Sequence, residues 1–241
     1  MIGAGTGHAS YSPRMTAPAP APASAPRTAW LAGATGLVGS LLLARLLDAS
    51  VTVHALVRRL PDAPRTHPRL HYHPVDFANL PALPPADDLY IALGTTIKAA
   101  GSQEAFRRVD FDAVVRTAEA ARAAGVRRVG LVSAVGADPA STVFYNRVKG
   151  EAEQALAALG FEVTVFARPA LLLGDRASLG QPARVGEQLA ERVMMPLGAL
   201  LPKAIRPIQA DAVAAALAEA VQTRPAGLHT LSSQSMQPRR A

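Results

Sequence analysis

Six short apolar runs alternate with stretches of helical periodicity between residues 28 and 169, and no other feature restricts the fold as strongly. The strand candidates are "TAWLAGA" (28–34), "VTVHALV" (51–57), "LHYHPVD" (70–76), "DLYIALG" (88–94), "RRVGLVSA" (127–134) and "FEVTVFARP" (161–169). "LVGSLLLARLLDA" (37–49), residues 102–125 and "STVFYNRVKGEAEQALAALG" (141–160) carry the helix pattern. Parallel strands need crossovers, and helices that bury one stripe against a sheet supply them. The spacing predicts βαβ units: an α/β fold whose doubly wound parallel sheet is covered by helices on both faces.

The pattern changes at both flanks. Residues 1–27 are rich in Ala, Pro, Ser and Gly, hold no apolar core segment and are expected to be a disordered extension. They lack the continuous apolar stretch of a secretory signal, and Met15 is an alternative start to Met1. A nucleotide-binding domain is expected over 28–170. Beyond it a loop, a helix near 183–195 and a helix at 209–222 predict a small C-terminal substrate lobe and tail over 171–241.

"GATGLVG" sets Gly33, Gly36 and Gly39 at the joint between the first strand and the first helix. One glycine permits a tight turn, one lets backbone N–H groups approach a pyrophosphate, and one allows close helix–strand packing. The helix N-terminus then faces the anion. A dinucleotide is the expected cofactor, since the triplet opens a long βαβ series. At the end of the second strand, where an acid would bind the ribose 2′-hydroxyl of NAD, the chain reads "HALVRRLPD". Arg58 and Arg59 suit the 2′-phosphate of NADP instead, through the match of guanidinium to phosphate. "VDF" (75–77) places Asp76 and Phe77 at the third strand's end, where Asp76 can receive the adenine amino group. "ALGTT" (92–96) puts Leu93, Gly94, Thr95 and Thr96 in a small-residue loop along the cofactor. Lys98, just beyond, is expected to be exposed.

"YNRVKGE" (145–151) holds Tyr145 and Lys149, four apart and so on one helix face, with Ser133 at the end of the fifth strand. All three are expected at the C-terminal edge of the sheet, where ligands of doubly wound folds bind. A phenol ionises near pH 10, and a neighbouring ammonium favours its phenolate. Tyr145 can then exchange a proton with a carbonyl oxygen or alcohol while Ser133 hydrogen-bonds that oxygen and Lys149 also holds the nicotinamide ribose.

Together these residues resemble the short-chain dehydrogenase/reductase superfamily, over about residues 28 to 225. "GATGLVG" is the glycine pattern of its extended and atypical branches. "LGTTIKAAGS" (93–102), "LVSAVGAD" (131–138), "FYNRVKGEAE" (144–153) and "RPALLLGDR" (168–176) narrow the likeness. In that order they resemble the small NAD(P)H-binding oxidoreductase-like proteins related to the human Tat-interacting protein, a metastasis-suppressor homologue. The resemblance implies a Rossmann domain with strand order 3-2-1-4-5-6 and a Ser133–Tyr145–Lys149 triad. It also implies cofactor contacts from Gly33, Thr35, Gly36, Leu37, Val38, Gly39, Arg58, the 93–96 loop and Pro169. Many members carry an asparagine in the helix after the fourth strand; here that region reads "RRVDFDAVV", and Asp110 breaks the pattern of a full catalytic tetrad.

Composition limits the alternatives. No apolar run approaches the roughly 20 residues of a membrane-spanning helix, so no membrane partner is expected. The absence of cysteine excludes disulfides and thiolate metal sites and suits a reducing compartment, taken as the cytoplasm. The net charge of +7 comes from scattered arginines, with only 5% aromatic residues, so no nucleic-acid face is expected. His71 and His73 lack a third ligand at suitable spacing and are expected to be exposed strand histidines, with no metal bound. Met194 and Met195 are expected to pack the small lobe or line a substrate pocket. The first expectation is a monomeric or homodimeric NADPH-dependent oxidoreductase acting on a small carbonyl compound. The alternatives are a non-catalytic NADPH-binding regulatory protein and, third, a sugar-nucleotide epimerase or dehydratase.

Overall fold

The computed structural model describes residues 27–174 and 205–237. Its centre is β1 (Thr28–Ala32), an apolar strand buried along nearly its whole length, as befits one covered on both faces. β2 (Thr52–Val57) and β3 (Leu70–Pro74) lie to one side. β4 (Asp88–Ile91), β5 (Arg128–Val132), β6 (Val163–Arg168) and β9 (Gly227–Ser232) follow on the other. The order β3-β2-β1-β4-β5-β6-β9 is parallel throughout, with Leu31 flanked by Ala55 and Tyr90. The expected α/β, Rossmann-type doubly wound sheet is therefore the fold, extended by a seventh strand. A separate pair, β7 (Leu172–Leu173) and β8 (Ile208–Gln209), stands beyond β6.

Each face has its own core. α1 (Leu37–Asp48) buries Leu42, Leu43, Leu46 and Leu47 against one face, beside α6 (Ala210–Thr223) with Val213, Leu217 and Val221. The other face packs against α4 (Ala113–Ala123) and α5 (Phe144–Ala158), where Trp30, Leu131, Leu156 and Phe166 meet. The β3–β4 connection holds no helix; the Trp30 indole N–H donates to the Pro84 carbonyl at 2.9 Å and holds that proline-rich segment to the sheet.

Three expectations need correction. The C-terminal residues from 208 onward are not a separate lobe: α6 completes a core face and β9 pairs with β6, so the sheet does not end at residue 170. The single helix expected over 102–125 is divided into α3 (Gln103–Arg107), one π-helical turn (Arg108–Asp112) and α4, after a short α2 (Ile97–Ala100). Arg27, assigned to the N-terminal extension, is anchored to the fold by its 2.6 Å ion pair with the buried Asp88. The rest of that extension, the helix near 183–195, Met194 and Met195 lie outside the described residues.

Candidate cofactor and active site

The glycine loop sits at the C-terminal end of β1, where the strand order reverses between β1 and β4. Gly33 has φ +90°, and a Cβ there would stand 2.5 Å from the Ala92 carbonyl oxygen. At Gly39 it would stand 1.9 Å from the Gly33 carbonyl oxygen. The Gly36 N–H closes the turn on Gly33 O at 3.0 Å, and Gly36 begins α1 with no side chain capping it. The first amides of α1 could hold an anion there, in a cradle that side chains would fill. Thr35 is exposed at the tip, while Leu37 and Val38 turn inward and hold α1 to the core.

Beside the loop, Arg58, Pro74, Val75, Asp76 and Phe77 line an open pocket of about 480 Å³. Arg59 is exposed and does not line it. The Asp76 carboxylate accepts the Ala78 N–H at 2.9 Å, which shapes the turn that forms the floor. Beyond β4, Leu93 packs on the core, Gly94 is exposed, and Thr96 caps α2 by accepting the Ala99 N–H at 3.0 Å. Lys98 is exposed, as expected.

Ser133, Tyr145 and Lys149 are brought to the same edge. The backbone of Ser133 is laced to β6 through its N–H to Ala167 O at 2.8 Å, and Val135 N–H reaches the carbonyl of the buried Pro169 at 2.9 Å. The Ser133 hydroxyl is buried with no hydrogen-bond partner among the described residues. Tyr145 and Lys149 lie one turn apart on α5, and that helix approaches the loop after β5 closely: a Cβ at Gly150 would stand 2.2 Å from the Asp138 backbone. The half-buried Tyr145 ring lies 5.3 Å from the Phe106 ring, centroid to centroid.

Lys149 is buried, and its Nζ lies 2.8 Å from Asp110 Oδ1. Burial by itself pulls the ammonium down, but the negative charge of Asp110, with Tyr145 and Glu153, outweighs it and holds its pKa above the usual lysine value. Asp110 comes from the π-helical turn, a feature often found at functional sites. Glu153, one turn beyond Lys149, is itself taken up by Arg168 at 3.0 and 3.2 Å. Sequence reasoning marked Asp110 only as a departure and passed over Phe106, Glu153 and Arg168. A signal was present: Phe106, Asp110, Ala113 and Thr117 recur at helical spacing, which sets a carboxylate on an apolar stripe.

Of the strand histidines, His71 is exposed as expected and His73 is not. His73 is half-buried and its Nε2 lies 2.8 Å from His54 Nδ1, while the exposed His71 ring stacks 5.3 Å from that of His54. Burial, then the charges of His73 and His71, push the His54 pKa down.

Comparison with known proteins agrees with this geometry. Residues 33–224 match the family described as NAD(P)H-binding. The chain belongs to that family. Among its relatives is the protein FMP52, mitochondrial, of Coccidioides immitis, 37% identical over 62% of this chain and 67% of its own length. That of Aspergillus fumigatus is 42% identical over 61% of this chain and 67% of its own. Protein HTATIP2 of Rattus norvegicus is 34% identical over 69% of each chain. Among solved structures, an oxidoreductase of the short chain dehydrogenase/reductase family from Burkholderia thailandensis superposes with TM-score 0.66 at 19% identity, over 88% of this chain and 94% of its own. A UDP-N-acetylglucosamine 4-epimerase from Methanobrevibacter ruminantium gives 0.65 at 14%, over 86% and 76%. The family thus binds NAD(P)H, while the solved structures, at 19% and 14% identity, share the fold. Among the described residues no helix is long and apolar enough to cross a membrane.

Proposed function

We propose that this chain binds NADPH in preference to NADH and reduces a small carbonyl compound, with Ser133, Tyr145 and Lys149 at the reacting oxygen. The Ser133 hydroxyl carries the reading: it is buried at the end of β5, beside the helix of Tyr145 and Lys149, and lacks a partner among the described residues. Such a hydroxyl costs about 1–3 kcal/mol until an oxygen or water engages it, and a substrate oxygen does so. A cofactor whose pyrophosphate is held by the glycine loop would supply the hydride for the carbonyl carbon. Tyr145 gives its phenolic proton to the carbonyl oxygen, Ser133 donates a hydrogen bond to that oxygen, and Lys149 holds positive charge beside it. Preference for NADPH rests on Arg58, whose guanidinium shares a pocket with Asp76 and Phe77 and suits a 2′-phosphate.

A second reading, NADPH binding without turnover, is favoured by one observation: the Lys149 ammonium is already engaged by Asp110. The epimerase reading has only the fold behind it, at 14% identity to the epimerase from Methanobrevibacter. The deciding experiment compares the wild type with Tyr145→Phe, using a panel of small aldehydes and ketones and following NADPH oxidation. The variant keeps NADPH affinity and loses about 10²–10⁴-fold in turnover, the usual contribution of a positioned acid. Wild-type turnover in the variant refutes the carbonyl reading. NADPH binding with no oxidation by any probe puts the second reading in its place. For the compartment, the cytoplasm stands beside the mitochondrion named for the fungal relatives; fractionation of cells making the full chain separates the two.

A further inference from the structure

Asp110 has no part in the chemistry above, yet three elements converge on it. It is 1% exposed, its Oδ1 lies 2.8 Å from Lys149 Nζ, and its Oδ2 accepts the Thr95 N–H at 2.9 Å. Gly94 closes over the pair: a Cβ there would stand 3.3 Å from Asp110 Oδ1 and 3.6 Å from Lys149 Nζ. The carboxylate is delivered by the π-helical turn, the loop it holds follows β4, and the ammonium comes from α5. A buried carboxylate needs partners on both oxygens: Oδ2 accepts a hydrogen bond from the loop, and Oδ1, with no hydrogen bond among the described residues, has the Lys149 ammonium as its ion-pair partner.

We propose that Asp110 is a positioning residue for the cofactor, holding the Lys149 ammonium and the 93–96 loop as one preset unit. The proposal rests on the NADPH-binding reading. Without Asp110 the lysine is a buried cation with weaker support, and the loop loses the one hydrogen bond that a side chain from outside it supplies among the described residues. The charged groups facing Lys149 are Asp110 from the π-helical turn and Tyr145 and Glu153 from α5, with Arg168 of β6 occupying Glu153. Burial works against the lysine's charge and Asp110 is the largest of the influences that sustain it, so the charge of Lys149 depends on this one carboxylate above all.

The test is calorimetric titration of the full chain with NADPH at pH 7, 8 and 9, for wild type, Asp110→Asn and Gly94→Ala. Asp110→Asn keeps the shape and an acceptor for Thr95 but removes the charge. Its affinity is expected to fall by about tenfold more than that of the wild type between pH 7 and 9, as the buried ammonium, without the carboxylate that sustains it, gives up its proton over that range. Gly94→Ala leaves both charges in place and is expected to weaken NADPH binding several-fold at every pH. A merely structural role for Asp110 would lower the melting temperature without altering the pH dependence of affinity. An Asp110→Asn chain with wild-type affinity across the series overturns the positioning role alone. If that variant does not fold, Gly94→Ala decides, and unchanged affinity there overturns it. A wild type that binds no NADPH overturns both the positioning role and the reading beneath it.

Discussion

Replacing Gly39 with alanine tests the glycine loop at the place where its geometry is least forgiving. The added Cβ would lie 1.9 Å from the Gly33 carbonyl oxygen and 2.7 Å from the Gly33 carbonyl carbon. Both belong to backbone, so relief requires α1 to move away from the end of β1 by about 1.5 Å or more to reach ordinary contact. Overpacking of this kind costs about 1–3 kcal/mol, and more where the neighbour is backbone. Alanine returns about 1 kcal/mol of helix propensity. A net loss of about 2 kcal/mol corresponds to a melting temperature lower by about 4–8 °C for a chain of this size. Gly36 is the built-in comparison: its φ is −81° and a Cβ would stand 3.3 Å from the same oxygen. Gly36→Ala should therefore cost under about 1 kcal/mol of stability. Both should impair NADPH binding, Gly36→Ala by narrowing the anion's approach and Gly39→Ala by displacing the helix that presents its amides. Thermal unfolding and NADPH calorimetry on both variants check this. A Gly39→Ala chain as stable as Gly36→Ala would refute the close-approach argument, whatever its affinity.

Two further outcomes are expected. Arg58→Ala should weaken NADPH by about 10–100-fold, the worth of a charge-assisted hydrogen bond, and leave NADH nearly unchanged; an equal loss for both cofactors would place Arg58 on the adenine side only. The lowered pKa of His54 implies stability that is full above about pH 6.5 and is lost as pH falls through the folded value. The wild-type melting temperature should drop between pH 7 and 5 by more than that of His54→Asn, and parallel curves would show that the histidine cluster is not responsible.

What the sequence disclosed was what local periodicity can carry. The central strands are apolar because they are covered on both faces, and "GATGLVG" and "YNRVKGE" stand where strand or loop gives way to helix. The strand candidates ran too long at their C-terminal ends: Ala92 to Gly94, Ser133 to Ala134 and Pro169 are not strand. Those residues form the rim of the site, where apolar character persists after pairing has ended. The π-helical turn at Arg108–Asp112 was beyond reach, since one extra residue hardly changes an apolar stripe read over two turns. "GLHTLS" escaped notice for another reason. β9 is a half-exposed edge strand with a weak pattern, and its partner Val163 to Arg168 lies far back in the chain.

The small pairing of Leu172 with Ile208 and Leu173 with Gln209 has a consequence for how such a protein diversifies. It gathers into one neck the point where the chain departs after β6 and the point where it rejoins α6. Lengthening a loop closed at its base costs little, about 0.6 kcal/mol per doubling. The pairing that closes the neck uses none of the seven strands of the main sheet, nor the glycine loop or the tyrosine helix. Heredity can thus keep the NAD(P)H-binding sheet constant while editing what is joined to it at that neck.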